Sequence, residues 1–356
     1  MISRREFLGI TAGAGAAVAL TPELLSAYQP SGGKLIQRAI PSSGEMLPVV
    51  GLGRGWSASV DDAAVKETVK TLVDNGGRVL DTVHGGPPVR QLVGTIANEL
   101  GIQNKIFWST GLSPVESPPL APGSAGPPPK ADPAAVKAAI ETLFAMFKVP
   151  RIDLIQVLAV SAQADITTHL AVLREMKKEG RVGYIGVTDL LPPPTVKTPA
   201  GARLESIMRN EQIDFVGFDY SVGDRRAEQT LLPLAQERKI GVLAYFCFDR
   251  GRLFQRAGTT PLPDWAAEFD ARTWAQFFLK YVVSHPAVTV ARTGTSKAAH
   301  MLENIGGGIG RLPNEATRKR MAELVDSWPQ AQRGGTPAPQ GPVVAVSAAH
   351  PGPLRG

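Results

Sequence analysis

The residues best suited to chemistry stand close together in residues 78–86, whose sequence is Arg-Val-Leu-Asp-Thr-Val-His-Gly-Gly. Asp81 and His84 follow the apolar pair Val79-Leu80, and Arg90 comes six residues after the histidine. A carboxylate can orient a cation, a histidine can exchange a proton near neutral pH, and an arginine can hold an anion. The stretch therefore predicts a candidate site at the end of a buried strand.

Other kinds of chemistry are disfavoured by the composition. Cys247 is the one cysteine, which rules out an intrachain disulfide and a thiolate metal cluster, and its apolar neighbours predict an unreactive thiol. The five histidines are widely spaced and no metal-binding motif is present, so no metal site is predicted. The net charge is +6, with lysines and arginines scattered along the chain, which indicates a solvated basic surface and no nucleic-acid partner.

The elements that must position the candidate site alternate between strand and helix. Short apolar segments, such as residues 105–110 and 152–157, are each followed by apolar residues at helical spacing. Eight such alternations predict an α/β fold, a (β/α)8 TIM barrel, with an N-terminal β-hairpin and an extra C-terminal helix over residues 314–327. Residues 51–55 lack the spacing of the dinucleotide fingerprint of open sheets. In a barrel the active site lies where the strands lead into the following loops, which is where Asp81 falls.

The two ends of the chain are predicted to lie outside the barrel. Residues 3–8, Ser-Arg-Arg-Glu-Phe-Leu, precede an apolar run and match a twin-arginine export signal, and this run falls short of the ~20 residues that a transmembrane helix needs. A protein exported in the folded state would work in the periplasm, with membrane contact only through an uncleaved signal. The predicted organisation is a signal peptide over residues 1–27, a linker over 28–34, the barrel over 35–328 and a Pro/Gly-rich disordered tail over 329–356.

Several segments, in their order and spacing, resemble the aldo/keto reductases across residues 35–328. The segments are residues 40–45, 47–53, 78–82, 152–157, 183–188, 219–221 and 294–297, followed by His300 and Glu303-Asn304. The resemblance implies the barrel fold and NADP(H)-dependent reduction of a carbonyl. It also implies a catalytic tetrad of Asp, Tyr, Lys and His at successive strand ends, in which the Tyr is the general acid and the Lys lowers its pKa.

Only the first tetrad position is retained in this sequence. Asp81 matches the Asp, whereas Gly86 stands at the Tyr position, Gly111 at the Lys position and Leu158 at the His position. The family's helix glycine, thirteen residues after the aspartate, falls on Gly94, which fixes this alignment. Neither glycine nor leucine can donate a proton.

A rebuilt site is one way in which catalysis would survive these replacements. It would combine Asp81 with His84 as the acid or base and Arg90 as the group that holds an anionic substrate. The alternative is that His84 is an ordinary loop histidine with no catalytic role.

The phosphate and adenine half of the cofactor site is better kept than the nicotinamide half. Residues 293–297 lead into a helix N-terminus, which offers backbone N–H groups to a phosphate. Gly217 replaces the Gln that would meet the nicotinamide, and Thr188 and Asp189 replace the Ser-Asn pair that holds its carboxamide. The alternative is that residues 293–297 serve only as a stable connection between a strand and a helix and bind no cofactor. The cofactor-binding residues predicted from the resemblance are Thr188, Asp189, Gly294, Thr295, Ser296, Lys297, His300, Glu303 and Asn304.

Two functions are compatible with these residues. The first hypothesis is a barrel without catalytic activity that binds a nucleotide, another small molecule or a protein partner of the cell envelope, and the loss of Tyr, Lys and His supports it. The second is an NADP(H)-dependent oxidoreductase that acts on a carbonyl through a rebuilt site, supported by Asp81 and residues 293–297. We favour the first, because function has to be argued from the site and not from the fold.

Overall fold

The computed structural model describes residues 33–53, 61–114, 130–158, 166–189 and 200–329. The predicted signal peptide, most of the predicted linker, nearly all of the predicted tail, and most of the Pro/Gly-rich segment 113–129 lie outside the described residues. Within the described ranges, no helix combines the length and the apolar character that crossing a membrane requires.

Eight parallel strands close into a barrel in which each strand pairs with the next along the chain and the last pairs with the first. The closing pair is β10 with β3, where Ala291 lies opposite Val50. The predicted (β/α)8 barrel is therefore confirmed. The strands of the described residues are β1 (Gln37–Ala39), β2 (Met46–Pro48), β3 (Val50–Gly53), β4 (Val79–Asp81), β5 (Phe107–Leu112), β6 (Ile152–Leu158), β7 (Val182–Thr188), β8 (Phe215–Asp219), β9 (Gly241–Tyr245) and β10 (Val288–Gly294).

The predicted N-terminal hairpin is confirmed as well. Strands β1 and β2 pair antiparallel, with Arg38 opposite Leu47. Leu47 and Ile40 are fully buried and belong to the cluster that fills the barrel interior. The hairpin therefore covers the amino-terminal end of the barrel, and the carboxyl ends of the strands are left to form the candidate site at the opposite end.

Helices follow the barrel strands and cover their outer faces, and a last helix, α10, follows the barrel as predicted. Some begin where the sequence supplies a cap: the side chains of Asp61, Asp132 and Asn314 accept hydrogen bonds from the first turns of α1, α3 and α10. The α-helices of the described residues are α1 (Asp62–Asp74), α2 (Pro87–Glu99), α3 (Pro133–Phe147), α4 (Thr167–Lys178), α5 (Ala200–Asn210), α6 (Leu231–Glu237), α7 (Arg252–Ala257), α8 (Trp274–Ser284), α9 (Ala298–Gly306) and α10 (Glu315–Asp326).

The sequence pattern predicts a single helix over residues 265–284, and this prediction is wrong. A short 3-10 helix, Asp264–Phe269, ends at Asp270, whose backbone is left-handed at φ 57°. The α-helix begins only at Trp274, where the hydroxyl of Thr273 accepts a hydrogen bond from the N–H of Gln276. The 3-10 helix and α8 both place aromatic residues on the same buried side. The apolar spacing of the sequence therefore continues through the turn at Asp270, although the helix is interrupted there.

Candidate site at the carboxyl ends of the barrel strands

Asp81 is the last residue of β4 and lies at the centre of the candidate site. It is fully buried, and its Oδ1 accepts hydrogen bonds from the N–H of Val83 at 2.9 Å and from the hydroxyl of Ser109 at 3.2 Å. Its Oδ2 lies 3.1 Å from Nε of Arg292. Burial raises the pKa of Asp81, while the positive charge of Arg292 and these hydrogen bonds oppose the rise.

The cation beside Asp81 comes from a strand far from it in the sequence. Arg292 belongs to β10 and is only 6% exposed. Its side chain crosses the backbone of β3 at Gly53, where a Cβ atom would lie 2.0 Å from Nε of Arg292. The sequence carries one sign of this contact: an arginine directly follows the strand-like Val-Thr-Val-Ala of residues 288–291. A charge in a buried strand requires a partner of opposite charge.

A chain of hydrogen bonds links Asp81 to the neighbouring strands. The hydroxyl of Ser109, which donates to Asp81, accepts from Nε2 of Gln156 at 3.0 Å. The Oε1 of Gln156 accepts in turn from the hydroxyl of Tyr245 at 2.9 Å and from the hydroxyl of Thr188. These side chains are all buried, so the polar groups at the strand ends are used to satisfy one another inside the barrel.

Tyr245 is the phenol nearest to Asp81 in this network. It is fully buried, and burial raises its pKa well above 10, with the negative charge of Asp81 adding to the rise. The guanidinium carbon of Arg292 lies 4.9 Å from the centre of its ring. A phenol held neutral inside the barrel is a weak acid, so Tyr245 is poorly suited to replace the tetrad Tyr.

The structure gives a steric reason for one of the tetrad replacements. A Cβ atom on Gly111, at the Lys position, would lie 2.5 Å from the carbonyl oxygen of Val83, so no side chain fits there without a shift of the backbone. Gly86, at the Tyr position, is exposed, and the nearest atom to its Cβ would be in Pro88 at 3.8 Å. Leu158, at the His position, is half-buried against the interior cluster.

The glycine on which this alignment rests lies at a close contact between two helices. Gly94 lies in α2, where a Cβ atom would come 2.3 Å from the carbonyl oxygen of Met146 in α3. Only glycine allows the two helices to approach so closely, which explains why this residue marks the register of the stretch that begins at Asp81.

The two other candidate residues, Arg90 and His84, lie at the same end of the barrel. Arg90 extends from α2, and its Nη2 donates to the carbonyl oxygen of Gly111 at 2.8 Å. Burial lowers the pKa of Arg90, and Asp81 is the charge that opposes this. The ring of His84 lies edge-on to Tyr245 at 5.4 Å between ring centres and 6.4 Å from Phe246. The structure therefore places Arg90 within electrostatic range of Asp81, and His84 against Tyr245, which the hydrogen-bond network links to Asp81.

The segment after β9 has an unusual backbone. Phe246, Asp249 and Arg250 adopt left-handed φ angles of 50°, 49° and 54°. Arg250 places its guanidinium carbon 3.9 Å from the centre of the Phe246 ring and pairs with Asp219 at 2.5 Å. Such strain persists only where the surroundings enforce it and is common at functional sites.

Cys247 lies in the same segment and behaves as the sequence predicts. It is buried, and burial raises the pKa of its thiol to about 12, so the reactive thiolate is scarce at neutral pH.

Residues 293–297, which the resemblance predicts to hold a phosphate, form the turn between β10 and α9. Gly294 and Lys297 are exposed, and α9 begins directly after Lys297 without a side-chain cap. Its first N–H groups have no partner within the helix, which is the arrangement that binds phosphates elsewhere. Thr295 shapes the turn by accepting a hydrogen bond from the N–H of Lys297 at 3.1 Å, and Ser296 is half-buried between them. Burial lowers the pKa of His300 to about 4, so Lys297 and not His300 supplies positive charge at this turn at neutral pH.

The residues predicted to hold the adenine are less accessible. Glu303 is 5% exposed, and its carboxyl group is hydrogen bonded to the side chain of Thr273 at the start of α8. Asn304 is fully buried. Both side chains therefore contribute to the packing of α9 in this structure.

The nicotinamide half of an NADP(H) site does not fit this arrangement. A Cβ atom on Gly217 would lie 2.4 Å from the ring of Tyr245 and 2.6 Å from the hydroxyl of Thr188, so the family's Gln has no room there. The hydroxyl of Thr188 already donates to Gln156. Asp189 is buried, and its N–H donates to the carbonyl oxygen of Gly217 at 3.1 Å. The strand ends are thus arranged around Tyr245 and not around a carboxamide.

Comparison with known proteins identifies the family. Residues 49–319 match the aldo/keto reductase family. The uncharacterized oxidoreductase YqkF of Bacillus subtilis is 26% identical over 211 residues, which are 52% of this chain and 64% of that protein. The alignment therefore spans less than two thirds of this relative.

Solved structures share the fold. The aldo/keto reductase of Klebsiella pneumoniae in complex with NADP and acetate superposes with a TM-score of 0.60 at 19% identity, covering 83% of this chain and 96% of that one. The aldo-keto reductase AKR11C1 of Bacillus halodurans, in its holo form, gives a TM-score of 0.62 at 20% identity, covering 82% and 96%. With the family matched over most of the barrel, the chain belongs to the aldo/keto reductase family.

Proposed function

We propose that this protein is an aldo/keto reductase-family barrel that binds a ligand at the carboxyl ends of its strands without carrying out the family's Tyr-dependent carbonyl reduction. The observation that carries the proposal is the altered partner of Asp81. Its cation is Arg292 of β10, while the Lys position, Gly111, is closed by the backbone of Val83. Without a cation and a phenol at the family's positions, there is no tuned proton donor for a carbonyl oxygen.

The hydrogen-bond network supports the same proposal. Thr188 and Tyr245 donate to Gln156, which donates to Ser109, which donates to Asp81. Groups that would hold a cofactor ring or a substrate are thereby used to stabilise the barrel itself. The ligand or partner is further proposed to be met in the periplasm, on the basis of the twin-arginine sequence at residues 3–8.

An NADP(H)-dependent oxidoreductase with a rebuilt site is the second candidate, and one specific observation favours it. The uncapped start of α9, with Lys297 beside it, suits a phosphate, and the neighbour from Klebsiella pneumoniae was solved with NADP. In this candidate His84 would act as the acid or base near Asp81, and Arg90 would hold the substrate.

A nucleotide titration combined with an activity assay tests the two candidates. NADPH fluorescence is followed on adding the full-length protein, and NADPH oxidation is followed with a panel of aldehydes and ketones. We expect no carbonyl-dependent oxidation above the uncatalysed rate. Sustained turnover with any carbonyl substrate would overturn the proposed function. Replacing His84 with Ala should then abolish that turnover if the rebuilt site is correct, and unchanged turnover would remove His84 from the mechanism.

A further inference from the structure

We propose that the amino-terminal end of the barrel, opposite the candidate site, docks on a bilayer that contains anionic lipids. The contact surface is the basic arc, which we define by five exposed cations in the segments before β5, β6, β7 and β9: Lys105, Lys148, Lys178, Arg238 and Lys239. This inference goes beyond the proposed function, because it concerns a second surface and not the ligand at the carboxyl ends of the strands.

The barrel topology brings together cations that are far apart in the sequence. All eight parallel strands begin at the same end, so the residues that precede them form a ring around that end. Lys105 stands two residues before β5, Lys148 four residues before β6, and Lys239 two residues before β9. Because β5 to β9 are consecutive neighbours in the barrel, the basic arc lies on one side of this ring.

Neighbouring acids do not neutralise the basic arc. In the described part of the chain none of its five side chains forms an ion pair, whereas Lys177, at the same end, pairs with Asp214. Two exposed carboxylates, of Glu179 and Glu237, stand among the five cations and leave a surplus of three positive charges. A cluster of four or more cations with such a surplus is typical of surfaces that bind anionic lipids.

The same end of the barrel carries the one large hydrophobic side chain that is exposed among the described residues. Met46, in β2 of the hairpin, is 48% exposed. Its carbonyl oxygen accepts a hydrogen bond from Nη2 of Arg78, directly before β4, which places it at the ring of residues that precede the strands. An apolar side chain on a basic surface suits the boundary between lipid headgroups and acyl chains. A single-stranded nucleic acid would instead require exposed aromatic side chains on which its bases stack.

The course of the chain also favours a bilayer as the partner. The N–H of Ile36 donates to the carbonyl oxygen of Gly308 at 2.8 Å, and Leu35 pairs with Ile309. These residues lead into the hairpin that covers the amino-terminal end, so the chain enters the barrel at the end that carries the basic arc. The contact would therefore add to the one predicted through an uncleaved export signal, and it would leave the candidate site facing away from the membrane.

Co-sedimentation of the full-length protein with vesicles at pH 7 tests the inference. The vesicles consist of phosphatidylcholine alone or of phosphatidylcholine with phosphatidylglycerol as the anionic lipid. We expect tighter binding to the anionic vesicles, and weaker binding as salt is raised from about 50 mM to about 300 mM, because salt screens exposed charges.

A double variant measures the part played by the basic arc. Each cation near an anionic surface strengthens binding by about fivefold, so Lys148→Gln, Lys239→Gln should weaken binding to the anionic vesicles by about tenfold or more. Lys130→Gln, Lys137→Gln is the matched control. It removes the same number of charges from exposed side chains at the start of α3, the helix whose other end leads to Lys148. This control variant should bind as the wild type does.

Several outcomes would overturn the inference. These are equal binding to the two kinds of vesicle, no binding to anionic vesicles at low salt, an equal loss of binding in the two double variants, or displacement from the vesicles by a lower concentration of single-stranded oligonucleotide than of free anionic lipid vesicles. The predicted export signal is the same in every variant, so a contribution from it cannot produce a difference between the two double variants.

Discussion

Asp81 pairs with a cation from a different strand than the resemblance predicts. A side chain from β10 reaches it across β3, and Gly53 leaves the room for this crossing. Three residues are involved in this arrangement. Arg292 supplies the cation, Gly53 leaves room for its side chain, and Gly111 stands where the resemblance predicts a Lys. A barrel can move a charge in this way because all strand ends converge on one axis.

The ion pair between Asp81 and Arg292 should dominate the stability of this end of the barrel. Arg292→Met leaves the carboxylate buried beside only its hydrogen-bond donors, and we expect a loss of about 3 kcal/mol in the free energy of unfolding. The double variant Asp81→Asn, Arg292→Met removes both charges and should lose distinctly less. Urea unfolding at pH 7 measures both. If the double variant is as unstable as the single one, the pair is not coupled as the structure indicates.

The two glycines at tetrad positions should respond differently to substitution. Gly111→Ala places a Cβ atom against the carbonyl oxygen of Val83 and should cost about 1–3 kcal/mol, as overpacking does. Gly86→Tyr points into open space and should change stability by less than about 0.5 kcal/mol. Urea unfolding again provides the measurement. A stable Gly111→Ala variant would show that the Lys position is open after all.

Gly86→Tyr should also remain inactive with carbonyl substrates. It restores the phenol, but the cation that would lower the pKa of that phenol has no place at Gly111. NADPH oxidation by this variant would show that Arg90 or Arg292 can take over the role of the Lys.

The segments after β8 and β9 form a charged element beside the site, and Asp219 makes it sensitive to pH. Burial raises the pKa of Asp219 to about 6, and Arg250 limits the rise. The folded state therefore holds this proton more tightly than the unfolded chain, whose Asp pKa is ~3.9. The contribution of Asp219 to stability is largest below pH ~4, falls as the pH rises to about 6 and stays low above that.

Asp219→Asn should remove this part of the pH dependence. We subtract the free energy of unfolding of the wild type from that of the variant. This difference should increase between pH ~4 and pH ~7, by at most about 3 kcal/mol for a pKa shift of this size. Asp81, Asp153 and Glu303, whose pKa values burial also raises, contribute to both proteins and cancel in the difference. Urea unfolding across this pH range gives the difference curve. A difference that does not change with pH would mean that the carboxyl group of Asp219 is solvent-exposed in solution.

At the level of the whole molecule, the sequence was sufficient to predict the architecture. Strand and helix periods alternate along the chain, and a closed parallel barrel is the arrangement that buries both faces of such strands. The loss of three tetrad groups stays a prediction from the resemblance; the structure adds that Gly94, on which its register rests, packs against Met146.

Side-chain contacts between the last strand of the barrel and its first strands could not be predicted from the sequence. Arg292 meets Asp81 only because β10 pairs with β3, which brings together residues from opposite ends of the barrel sequence. The steric closure of Gly111 depends likewise on where the backbone of Val83 passes. The break at Asp270 was missed because apolar spacing reports burial and not backbone continuity.

One largely buried arginine of the C-terminal helix α10 contacts several residues of the barrel, and this contact should be part of the cooperative fold. Nη2 of Arg318 donates to Glu228 and to the hydroxyl of Tyr220, both at 2.8 Å, and its guanidinium carbon lies 4.0 Å from the centre of the Tyr281 ring. The side chain is 13% exposed. The guanidinium group of Arg318 therefore connects three elements, which are residues 226–228, α8 and α10.

Arg318→Met should lower the free energy of unfolding of the whole protein by about 1–3 kcal/mol, because it removes the charged hydrogen bonds to Glu228, whose side chain is 31% exposed and keeps the hydroxyls of Tyr220 and Tyr281. The neighbouring Lys319→Met is the matched control: Lys319 is 79% exposed, and we expect a change below about 0.5 kcal/mol. Urea unfolding measures the global effect, and hydrogen exchange in residues 315–326 measures local opening of the helix. Faster exchange in α10 with unchanged global stability would mean that the helix opens independently of the barrel.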